Sequence, residues 1–144
     1  MPDDAAATQL QEIAEKVLAC ESALTEEAGA KGLPAFQACD KLRIQLCKVF
    51  GVGGFSPLLL RAVTLAGAKC NWLRQLQVTA DGVLDGFIDL KPKIDRATLA
   101  EGEIVLIAEL LGLLVTFIGP ALTLSLVQDV WPPLEDWKLE NGTL

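Results

Sequence analysis

Residues 104–128 read IVLIAELLGLLVTFIGPALTLSLVQ, and the fold turns on what this stretch does. Between Glu109 and Asp129 it carries 19 residues without a charge, close to the ~20 apolar residues that a membrane helix needs. Lys91, Lys93 and Arg96 upstream and Trp131 downstream suit a basic inner flank and an interfacial anchor. Three features favour a buried helix instead. Gly119-Pro120 divides the uncharged run into pieces too short to span, because glycine ends helices and proline starts them. The first piece continues an apolar helix already begun at Ile104 and interrupted by Glu109. The other helices of the chain are amphipathic and need an apolar partner to cover. The run is therefore read as a core or subunit-interface helix, with a membrane-anchored accessory protein using residues 110–128 as an alternative.

Working outward, the spacing predicts a helix from about Ala5 to Ala28, with Leu10, Ile13, Ala14, Val17, Leu18 and Leu24 on one face. Glu12, Glu15, Lys16, Glu21, Glu26 and Glu27 are expected on its wet side, and Thr8 to Gln11 is a candidate capping box, with an earlier start at Asp4 as the alternative. A second helix is predicted over Pro34 to Phe50, with Phe36, Cys39, Leu42, Leu46, Val49 and Phe50 as its stripe. Three glycines at 51, 53 and 54 read as an interhelical turn; without a preceding strand or a Gly-Lys-Ser/Thr ending they do not make a phosphate loop. Ser56-Pro57 looks like a helix start, serine as cap and proline at the first position, with the helix reaching about Asn71. Alternation around Leu76 to Val78, then Ala80-Asp81-Gly82 and a return through Ile88, predicts a short hairpin. A fourth helix is expected from near Asp95 to Ile118 and a fifth from Pro120 to about Val130. The expected fold is mainly α: one domain over 1–144, a bundle of about five helices with a β-hairpin insertion around 76–88. Residues 1–4 are read as frayed and the acidic tail 134–144 as loosely held.

The chain has 144 residues, a formal net charge of −7 and a mean hydropathy of +0.39. That much apolar content excludes intrinsic disorder, and the acidic balance argues against broad nucleic-acid binding. There is no histidine and no tyrosine, which removes histidine triads, histidine metal ligands and histidine pH switching together. The thiols Cys20, Cys39, Cys47 and Cys70 form no C-x-x-C pair and read as buried free cysteines of a reducing compartment. Asp81, Asp85 and Asp89 miss the ligand spacing of a calcium loop. We therefore expect no catalytic, metal or cofactor site and no nucleic-acid partner. Glu109, set between Ala108 and Leu110, is a candidate partly buried carboxylate with Arg61 or Arg96 as partner.

Small residues recur every four positions at Ala108, Gly112 and Thr116 and at Ala62, Ala66 and Cys70, which predicts close packing of the third and fourth helices or of the fourth with a second copy. Trp72, Trp131 and Trp137 are candidate partner hot spots, or else covers for the ends of the bundle. The functional expectation is a cytoplasmic, non-catalytic interaction or assembly module that pairs with another protein or with itself. A small-ligand or sensor domain, with an apolar pocket lined by Phe117, Leu114 and Leu65, is the second reading.

Overall fold

The computed structural model describes residues 2–28, 34–79, 84–85 and 95–131. Among these the fold is mainly α. Helix α1 spans Pro2–Ala28, α2 Pro34–Phe50, α3 Val52–Lys69, α4 Arg96–Ile118 and α5 Pro120–Val130. A 3₁₀ turn, Asn71–Gln75, follows α3. The hairpin is a minimal one: β1 (Gln77–Val78) pairs antiparallel with β2 (Leu84–Asp85), Gln77 opposite Asp85 and Val78 opposite Leu84.

Helix α4 is the centre, in contact with all four other helices. It is apolar on most sides because it is covered on most sides, and Leu106, Ile107, Leu110, Leu111 and Leu114 are essentially inaccessible. Around it, α1 contributes Ile13, Ala14 and Val17, α2 Ala38, Leu42 and Leu46, and α3 Leu59, Ala62 and Ala66. None of the described helices is long and apolar enough to cross a membrane. The break at Gly119 is real, with φ +88°, and Glu101, Glu103 and Glu109 charge the helix that precedes it.

Helices α3 and α4 pack against each other, as their small residues predict. Their antiparallel course is fixed by three pairs: Trp72 against Thr98 and Gly102, Lys69 against Glu109, and Pro57 and Arg61 against Phe117. The small-residue stripe is only partly in that seam. Ala62 and Ala66 are fully buried and Ala108 packs on the core. A methyl group on Gly112 would meet Leu10 of α1 at 3.4 Å, so its open face turns to α1. Thr116 is exposed, and its hydroxyl donates to the Gly112 carbonyl of its own helix at 3.1 Å.

Two helix starts differ from expectation. Helix α1 begins at Pro2, so the Thr8 to Gln11 box lies inside the helix. Helix α3 begins at Val52, five residues before Pro57, which therefore stands inside the helix. There its missing N–H leaves one i→i−4 bond unmade. Gly51 makes the early start feasible, because at φ +75° it turns the chain directly from α2 into α3 in a conformation other residues rarely adopt. Ser56 is consequently no cap. Its hydroxyl donates to the Thr79 carbonyl at 3.1 Å and ties α3 to the end of β1.

Candidate functional site

Charged groups inside an apolar bundle need partners, and three glutamates show how this chain supplies them. Glu21 was expected on the wet face of α1 but is only 2% exposed. Its Oε2 accepts from Lys41 Nζ of α2 at 2.6 Å and from the Trp131 indole Nε1–H at 2.6 Å. One carboxylate thus joins α1, α2 and the end of α5. A sequence signal for this existed: Glu21 falls four residues after Val17 and eight after Ile13, on the buried stripe itself.

Glu103, in the first half of α4, is also buried, and its Oε1 accepts the backbone N–H of Ala35 at 3.1 Å. Ala35 is the second residue of α2, so Glu103 satisfies one orphan donor of a neighbouring helix and places a carboxylate at its positive end. Burial raises the Glu103 pKa above the usual carboxylate value, and the Ala35 N–H partly opposes the rise. A folded-state value above the unfolded one means that the folded state holds the proton more tightly, so Glu103 makes stability fall as pH climbs from the ordinary carboxylate value through the raised one. Glu103→Gln keeps the acceptor oxygen and removes the charge. The variant is expected to be more stable than the parent at neutral pH, with the gap closing as acid protonates the parent, in urea melts at a series of pH values. A variant less stable at neutral pH would mean that the charge–dipole attraction outweighs burial.

Glu109 is partly buried, as expected, but among the described residues its partner is Lys69 rather than Arg61. Lys69 Nζ donates to Glu109 Oε1 at 2.6 Å. The antiparallel register puts Lys69 opposite Glu109 and carries Arg61 two turns away, beside Phe117; the side chain of Arg96 lies outside the described residues. With Lys69 63% exposed, this pair is a surface bridge of small energetic weight.

The tryptophans cover the bundle. Trp131 is 1% and Trp72 7% exposed, so neither ring is on offer to a partner in this conformation. Trp72 donates from Nε1 to the Thr98 carbonyl at 3.2 Å and lies flat on α4 at Gly102. Trp137 and the tail 134–144 lie outside the described residues, as do Asp81 and Asp89. Among the described residues no group of acidic or thiol side chains is disposed to hold a metal. All four cysteines are free. Burial pushes the Cys39 thiol up to about 12 and raises Cys70 as well, which keeps both protonated and poorly nucleophilic at neutral pH.

The remaining feature is a surface. An open groove of about 380 Å³ runs between the first half of α3 and the end of α4, lined by Gly54, Pro57, Leu58, Arg61 and Phe117. Of the three pocket residues expected from sequence, Phe117 lines it, Leu114 is sealed in the core, and Leu65 stands one turn beyond Arg61 on α3. Phe117 is 67% exposed, Leu122 58% and Leu60 54%. No family model, no curated protein and no solved structure matches the chain. The reading of this surface therefore rests on its own chemistry. Leu60 lies one turn from Pro57 and Leu65 one turn from Arg61, so α3 presents both beside the groove. Leu122 follows just past the Gly119 corner.

Proposed function

We propose that the protein is a non-catalytic helical assembly module of the cytoplasm, and that it associates with a second copy of itself through the apolar surface formed by Leu60, Leu65, Phe117 and Leu122. The observation that carries this reading is the exposure of Phe117. A phenylalanine two-thirds in water at an apolar groove is the kind of feature that marks a contact site. The carboxylates support the non-catalytic part, since Glu21, Glu103 and Glu109 are each engaged by a neighbouring helix. Light scattering across a wide concentration range tests the reading. The parent chain is expected to associate and the double variant Leu60→Glu/Phe117→Glu to be monomeric with unchanged helix content. A parent that stays monomeric at every concentration contradicts it.

A second reading, small-ligand binding, is favoured by one observation. The groove at Phe117 is concave, mostly apolar and about 380 Å³ in volume, within the ordinary range of small-molecule sites.

A further inference from the structure

The groove specifies more than an apolar contact. Among the described residues, Arg61 is the only charged one in its wall. Lys41, Arg43 and Lys69 each have a carboxylate within ion-pair distance, whereas none among the described residues lies that close to Arg61. Arginine lays its methylene stem along apolar surface and keeps its head in water. Its guanidinium then presents a planar fork of N–H donors whose geometry matches a carboxylate. The wall residues all belong to helices, so the groove offers no strand edge along which an extended peptide could pair.

We propose that this groove binds a small apolar molecule bearing one carboxylate, with the carboxylate on the Arg61 guanidinium and the hydrocarbon body against Phe117, Leu58 and Pro57. The assignment rests on the second reading above, that the groove is a ligand site, and ligand and second copy would compete for Phe117. The chain's net charge of −7 repels anions in general, so preference for an anionic ligand reports this one local cation.

Calorimetric titration of the full chain with dodecanoate, dodecanol and dodecyltrimethylammonium, each below its micelle-forming concentration, tests it. Dodecanoate is expected to bind about tenfold more tightly than dodecanol, the scale of one charge-assisted hydrogen bond at an exposed site, and the cationic amphiphile most weakly. Arg61→Gln should lower dodecanoate to the level of dodecanol and leave dodecanol unchanged, while Phe117→Ala should weaken both together. Both substituted side chains are exposed, so neither change threatens the fold. Equal binding of acid and alcohol, with both lost in Phe117→Ala, would overturn the role of Arg61 and keep the ligand site. Binding indifferent to Phe117→Ala would place the ligand elsewhere and overturn the proposal. Binding of none of the three would overturn the ligand reading as well. If Phe117→Glu then changed only the oligomeric state, the groove would belong to the contact between copies.

Discussion

Replacing Lys41 by methionine is expected to cost the fold about 3 kcal/mol, the usual scale for removing one partner of a buried ion pair. The loss does not come from the attraction alone. Glu21 is 2% exposed, and without Lys41 its charge would remain inside the bundle, held by the Trp131 N–H. The second substitution of the cycle separates the two effects. Glu21→Gln/Lys41→Met removes the buried charge together with its partner and leaves an amide oxygen to accept the Trp131 N–H, so neither a charge nor a donor is stranded. The double variant should therefore regain most of the loss, giving a coupling energy well outside experimental error in a double-mutant cycle by urea denaturation. Additive single effects would mean that Lys41, itself 38% exposed, contributes little to holding Glu21.

Gly102→Ala should destabilise by about 2 kcal/mol, although the same change in an exposed helix gains about 1 kcal/mol. An added methyl group would stand 2.5 Å from the Trp72 indole, so the ring must lift off α4. That move forfeits packing worth ~1–3 kcal/mol and strains the Nε1–H bond to the Thr98 carbonyl. Thermal unfolding should show a midpoint lowered by about 6 °C. Indole fluorescence should shift to the red, because Trp72 becomes wetter. A variant as stable as the parent would show that the ring is not seated against Gly102.

The particular residues that were legible in sequence share a local cause. Gly119-Pro120 ends one helix and starts the next because each residue acts through its own backbone. Pro34 opens α2 for the same kind of reason, while Asp95 stands at the N-cap of α4 without a side-chain cap bond. The central position of α4 was legible because a helix apolar on most sides needs cover on most sides. Ser56-Pro57 misled, since the cap signal it carries was overridden by the turn available at Gly51. The partners of the glutamates were not legible, because each depends on packing between distant segments: Trp131 is 110 residues from Glu21 and Ala35 is 68 from Glu103. Glu109 had the right burial and the wrong partner, because only the α3–α4 register decides between Lys69 and Arg61. The apolar surplus was legible as a place along the chain, above all residues 104–128, but not in which of its side chains stay outside. The structure locates part of it on the outside, at Leu60, Phe117 and Leu122.

Whether that outside surface is covered in solution is the central question, and Phe117 can report it directly. A fluorine label introduced at position 117 alone, followed by fluorine NMR as the chain is diluted, reads the solvent exposure of this ring. The account predicts a resonance shielded from solvent at high concentration, which gives way to an exposed one on dilution and is absent when Leu60→Glu is added. A single solvent-exposed resonance, unchanged at every concentration, would contradict it.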